Sequence, residues 1–207
     1  MELLRERPNV TYVGVEPSRA AADEARRLLP AAEIINAAAY DIRVEPAHAV
    51  VSFSVLEHVV DRPRYLQAVR ANLREDGSAY LNYDSGHFVA DADLTERAKG
   101  LASRVLARVG SESRYRRRVS AREFSHLVAD SGLQIADDKV FNTDLKRLLP
   151  LVEAERRNTF MERWLAFELE LNELGLDYSD ELDSVFRSRN VVLIPADDDQ
   201  RACPDPR

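Results

Sequence analysis

The sequence is short of the residue types that build cross-linked, metal-held or membrane-bound proteins. Its 207 residues include one cysteine, Cys203, in a polar tail with no partner for an internal disulfide, so a reducing compartment, the cytoplasm, is the expected setting. No apolar run approaches the roughly 20 residues that span a bilayer. Met1 to Pro8 is charged and lacks the apolar segment of a secretory leader. There are four histidines, His48, His58, His87 and His126, and no two of them share metal-ligand spacing with nearby carboxylates, so no metal is expected. The formal net charge is −7, which removes any general electrostatic case for nucleic acid or an anionic membrane as partner. Glycine is also scarce: there are 7, none precedes Gly14, and no G-x-G-x-G turn can be placed.

What is present is an ordinary globular balance, 45% hydrophobic and 31% charged, enough to bury a core. The heavy use of Ala, Arg and Asp fits a GC-rich bacterial gene. Met1 to Arg7 reads as the last turns of a helix, stopped by Pro8-Asn9. Val10 to Val15 is a short β-branched and aromatic run, a strand ending in Glu16. Ser18 caps a helix over 19–29, with Ala22, Ala25, Leu28 and Leu29 on one face and Pro30 as its stop. Glu33 to Ala37 is a weak strand. Ala47 to Val55, "AHAVVSFSV", is a continuous apolar run of the kind that forms a buried parallel strand. Asp61 to Leu73 is an amphipathic helix, Asp76-Gly77 its exit turn, and Ser78 to Tyr83 the next strand. Strands alternating with helices predict a parallel sheet with right-handed crossovers.

The second half reads differently. Asp91 to Val109 is helical, and Ser111 to Val119 is an arginine-rich connection. Ser120 and Glu123 form a capping box for a helix that stops at Ser131-Gly132. Leu133 to Phe141 is a strand, Asn142 to Phe186 is mostly helical, and Asn190 to Ile194 is the last strand. Within the helical stretch Phe160, Trp164, Phe167, Leu171 and Leu174 recur at spacings of 4, 3, 4 and 3, which makes one apolar helix face. Glu162, Glu168, Glu170 and Glu173 make the other face acidic.

Glu16 is the first residue with chemistry to offer. A carboxylate at the C-terminal edge of a parallel strand can accept both hydroxyls of a ribose diol, and that edge is where open α/β sheets bind ligands. It can equally be an acid beside a helix N-terminus, favoured by the dipole. The order of segments decides between them. "TYVGVEPS", a weak strand and "VVSFSVLEHVVDRPRYLQAVRANLREDGSAYLNY" together resemble the class I S-adenosylmethionine-dependent methyltransferases. The resemblance is closest to their small-molecule branch, with Leu56-Glu57-His58 after the fourth family strand and a helix leading to Gly77 and the fifth. "SAREFSHLVADSGLQIADDKVF" and "RNVVLIPA" are similar to the family's last helix and last two strands.

The resemblance implies an α/β, Rossmann-like methyltransferase fold. Its sheet would be mostly parallel, with an antiparallel last strand and a helical insert before that strand. Residues 1–196 would form one methyltransferase-like domain, with 142–186 as insert or lid and 197–207 as a disordered tail. It implies S-adenosylmethionine as cosubstrate and a small molecule as methyl acceptor. Glu16 would bind the ribose, Asn36 and Ala37 would lie near the adenine, and Ser54 and Val55 would line the methionine part. His58 would edge the active pocket, and His87 would be the base near the acceptor.

The sequence departs from the family in three places. The opening strand and its glycine loop are missing, Asn36 stands where the family has an adenine-side acid, and His48 stands where it has an aspartate. A central strand cannot be lost without leaving buried backbone groups unpaired, at roughly 1–3 kcal/mol each. Three outcomes follow: the sequence starts inside a longer protein, a partner chain or a second copy completes the sheet, or the remaining strands close the gap. A non-catalytic methyltransferase-like partner or scaffold subunit is the alternative function, and cofactor-free chemistry a third. Arg114, Arg116, Arg117, Arg118 and Arg122 read either as an anion-recognition patch or as a solvated connection.

Overall fold

The computed structural model describes residues 10–84, 119–142, 147–174 and 185–196. The chain divides into two compact units, Met1–Glu45 and Pro46–Arg207.

In the first unit β1 (Val13–Val15) pairs in parallel with β2 (Glu33–Ile35), Val13 opposite Glu33 and Val15 opposite Ile35. Helix α1 (Arg19–Leu28) connects them. Ser18 Oγ accepts the N–H of Ala21 at 3.4 Å as the predicted cap, and Ala22 is fully buried. Arg26 ties the helix to the sheet by donating from Nη2 to the carbonyl of Ile34 at 2.8 Å.

The second unit holds a four-stranded sheet in the order β3-β4-β6-β5. Strand β3 (Ala47–Phe53) runs parallel to β4 (Leu73–Asp84), while β6 (Ser188–Pro195) runs antiparallel to both β4 and β5 (Leu133–Phe141). This is the mixed, Rossmann-like sheet expected, with its last strand antiparallel. Helices α2 (Arg62–Ala71) and α3 (Ala121–Asp130) cover the face formed by Ser52 of β3 and Ala79, Leu81 and Tyr83 of β4. Tyr65 of α2 shares a 2.5 Å hydrogen bond with Ser52 Oγ, and Phe124 of α3 stacks on Tyr83 with ring centroids 4.7 Å apart. Burying a side chain such as Phe124 contributes about 1.5–3 kcal/mol. The Ser120 cap accepts the Glu123 N–H at 3.2 Å, and Gly132 takes a φ of 75° at the stop after α3, as read from the sequence.

Three expectations are corrected. Asp76-Gly77 is not an exit turn: α2 ends at Ala71 and the chain enters β4 at once. The register with β3 shifts between Ala47 and Ala49, which absorbs the extra residues of β4. Gly77 serves close approach instead, since a Cβ there would stand 3.0 Å from the carbonyl oxygens of Ala47 and His48.

Strand β3 is parallel but not buried. It ends the sheet, and Val51 and Phe53 on its uncovered face are 59% and 62% exposed. The apolar run gave no sign that only one face would be covered.

The third correction concerns α4 (Arg157–Glu173), which follows two 3₁₀ turns at Leu149–Leu151 and Ala154–Arg156. Glu168 is not on a solvated face. It is 4% exposed and accepts the N–H of Asn142 at 2.6 Å. Asn172, one turn on, accepts the N–H of Val140 at 2.8 Å and donates to its carbonyl at 2.9 Å, as a neighbouring strand would. Polar side chains thus meet the outer edge of β5, and Phe160, Trp164 and Leu171 are half-buried beside them while Phe167 and Leu174 are exposed. The helix and connection read at Asp91 to Val119, apart from Val119 itself, lie outside the described residues, as do the first helix turn and the tail.

Candidate functional site

Each unit carries its own group of the residues singled out in the sequence. In the first unit Glu16 follows the C-terminal end of β1, and its N–H donates to the carbonyl of Ile35 at 3.0 Å, extending the β1–β2 pairing. The half-buried Glu16 carboxylate accepts the Ser18 N–H through Oε1 at 2.8 Å. That bond fixes the side chain at the entrance of α1, and the second oxygen, Oε2, remains for a ligand hydroxyl. Asn36 is brought to the same place: its Nδ2 donates to the carbonyls of Glu16 and Pro17 at 2.9 and 3.0 Å. The amide nitrogen is therefore committed to bracing the turn, and the amide oxygen is the group left to accept a hydrogen bond. Ala37 beside it is half-buried. Glu16 and Asn36 thus offer one carboxylate oxygen and one amide oxygen as hydrogen-bond acceptors at a strand's end. Among the described residues no glycine-rich turn accompanies them.

In the second unit β3 gives way to a polar corner. Ser54 has a φ of 54°, the one positive φ of a non-glycine residue among the described residues, and backbone of that kind is concentrated at functional sites. Its N–H donates to the carbonyl of Asn82 at 2.9 Å, and its hydroxyl donates to Asn82 Oδ1 at 3.3 Å. Asn82 Nδ2 continues to Ser188 Oγ at 2.8 Å and Asn190 Oδ1 at 2.7 Å, so the ends of β3, β4 and β6 are joined by side chains. The half-buried Val55 then leads into a 3₁₀ turn over Leu56–His58.

That turn is fixed from below. Arg62, 3% exposed, donates from Nε to the Leu56 carbonyl at 3.3 Å and from Nη1 to Glu123 Oε1 at 2.8 Å. His58 is half-buried on the turn. Glu57 is 3% exposed, and its Oε2 has no hydrogen-bond partner. Burial pushes its carboxyl above the usual range of 4.5. The neighbouring Asp84 charge adds to this, and backbone N–H groups and His58 oppose it.

Sequence reasoning quoted Glu57 only as part of a motif and missed Asn82 and Arg62. An acid inside the apolar stretch "SVLEHVV" was the available signal for the first. Of the other histidines singled out in the sequence, His87 lies outside the described residues, His48 is exposed on β3, and His126 is exposed on α3 as expected. Among the described residues no group of three potential metal ligands occurs. No described helix is long and apolar enough to cross a membrane.

A sequence family described as a methyltransferase domain matches residues 1–79. The curated proteins include no match to the chain. Among solved structures the chain is similar to the O-methyltransferase of a trans-AT PKS multienzyme of Brevibacillus brevis, in complex with S-adenosyl-L-homocysteine. The identity is 13% and the TM-score 0.57, over 95% of this chain and 62% of that one, so it spans less than two thirds of that protein. A geranyl diphosphate methyltransferase in complex with SAM gives 13%, 0.57, 95% and 73%. A Haloferax volcanii complex between the Trm112 methyltransferase activator and a methyltransferase gives 14%, 0.57, 95% and 77%.

Proposed function

Starting from a chain with the class I methyltransferase fold, whose first 79 residues match the methyltransferase-domain family, we propose that it transfers a methyl group from S-adenosylmethionine to a small-molecule acceptor in bacterial metabolism. S-adenosylmethionine, when bound, supplies an electrophilic methyl group on a sulfonium. Glu16 carries the reading: its carboxylate stands at a strand's C-terminal edge, with Oε1 held by the Ser18 N–H and Oε2 available for a ribose hydroxyl. Asn36 and Ala37 would flank the adenine, and Ser54 and Val55 the methionine portion. A neutral imidazole, His58 or His87, would take the acceptor's proton if one must leave. The protein's work is then alignment of the reacting atoms and exclusion of water.

The absent glycine turn bears on how this unit is completed. Within the second unit β3 is the outermost strand of its sheet. The exposed Val51 and Phe53 at the outer strand support completion by an added glycine-rich strand, in cis or from a partner chain. The same absence favours the second reading, a partner subunit that has lost cofactor binding.

Calorimetric titration with S-adenosylhomocysteine separates these readings. Binding to the chain, alone or once a strand and glycine-turn segment is added, supports the enzyme; binding in neither case overturns it in favour of the partner subunit. In the binding form Glu16→Ala should weaken affinity about 10- to 100-fold, the worth of a charged hydrogen bond. An unchanged affinity would refute the ribose assignment.

A further inference from the structure

Helix α4 is apolar beyond the side it turns to β5. Phe160, Phe167 and Leu174 recur every seven residues along one flank, and Phe167 and Leu174 are 50% and 71% exposed. Phe160, Arg163, Trp164 and Phe167 line an open apolar hollow of about 290 Å³. These four stand at i, i+3, i+4 and i+7, the set that forms the hole for a side-chain knob from a facing helix. The hollow therefore has the form of a helix-docking site.

Charge selects the helix that fits. Arg156, Arg157 and Arg163 are exposed at the start and in the first half of α4, and Glu170 and Glu173 are exposed in its second half. Glu162, two positions from Phe160, lies on the opposite side of the helix. An antiparallel copy of the same helix, centred on Phe167, sets Phe160 against the partner's Leu174. It also sets Arg163 beside the partner's Glu170, on the same flank. A parallel copy would instead put arginine against arginine and glutamate against glutamate.

We propose that α4 is a self-association surface. Two copies of the chain pair through it antiparallel, with Phe167 of each meeting Phe167 of the other, Leu174 of each against Phe160 of the other, and Arg163 of each facing Glu170 of the other, so that each hollow is covered by the partner's helix between Phe167 and Leu174. The interface is isologous, as a two-fold dimer requires.

Sedimentation of the full chain across the micromolar range tests this, with circular dichroism to verify that each variant is folded. The wild type should be a dimer, and Phe167→Asp should raise its dissociation constant about thirtyfold or more. Arg163→Glu alone should weaken the dimer about tenfold, and adding Glu170→Arg should restore it. In a Cys203→Ser background, Phe167→Cys should give a covalent dimer on mild oxidation and Glu162→Cys should not. A monomeric wild type overturns the proposal and leaves the hollow to a different protein. A dimer indifferent to Phe167→Asp and to the charge reversals overturns it by putting the contact elsewhere.

Discussion

The two ends of the four-stranded sheet are finished in different ways. At the β5 end, Asn172 of α4 satisfies both the N–H and the carbonyl of Val140, and Glu168 takes the N–H of Asn142. At the β3 end no second strand pairs among the described residues, and Val51 and Phe53 stand exposed. An unprotected edge is a template for another strand, and proteins ordinarily blunt it with charge, proline or a covering element. Among the described residues of this unit only the β5 end is treated so. The difference teaches that one side of this sheet is closed by a described helix, while the other, among the described residues, keeps the apolar, pairing-competent character of an interior strand.

The comparison breaks most sharply at Asn172. Asn172→Leu should leave two backbone groups of Val140 unpaired, at about 1–3 kcal/mol for each. Urea denaturation should show the loss as a lower midpoint; an unchanged midpoint would mean that the β5 edge does not need its cover. A smaller effect, at the β3 end, is expected from Glu57. A carboxyl with a raised pKa in the folded chain contributes stability that is present below the ordinary value of 4.5 and is lost as pH rises through the folded value. Glu57→Gln should therefore be the more stable protein near neutrality, with an advantage that shrinks as pH falls toward 4.5. Paired thermal melts across that range would expose the opposite trend if burial were not the cause.

The smallest expected change in stability sharpens the contrast. Val51→Lys or Phe53→Lys, on an exposed face, should alter the free energy of the chain by no more than about 0.5 kcal/mol. Either should nevertheless abolish any gain in S-adenosylhomocysteine binding conferred by an added strand segment. Retained complementation in both variants would show that the strand pairs elsewhere.

Much of this architecture was legible in the sequence because local chemistry decided it. Ser18 and Ser120 cap the helices they were assigned, Gly132 stops α3 through a φ that favours glycine, and β5 runs over the residues its pattern marked. What escaped depended on neighbours distant in the chain. An Asp-Gly pair reads as a turn, yet Gly77 is needed where β3 and β4 backbones crowd together. Glu168 and Asn172 read as solvated polar residues, and only the unpaired edge of β5 gives them partners. For the site, Glu16 and Asn36 were found because position at a strand end marks them. Asn82 and Arg62 were not, because each acts by joining segments from 6 to 108 residues away.

The buried Arg62 carries a consequence for variation at this corner. Its guanidinium, 3% exposed, is held by Glu123, whose side chain is 28% exposed, so shortening Glu123 takes a charged partner from a buried cation, while shortening Arg62 leaves a carboxylate that water still reaches. Removing the partner of a fully buried ion costs about 3–5 kcal/mol, an upper bound for this half-open pair, whereas replacing both members with well-fitting apolar side chains is often neutral. Positions 62 and 123, on two different helices, are thus coupled: what is tolerated at 123 depends on whether a buried cation stands at 62.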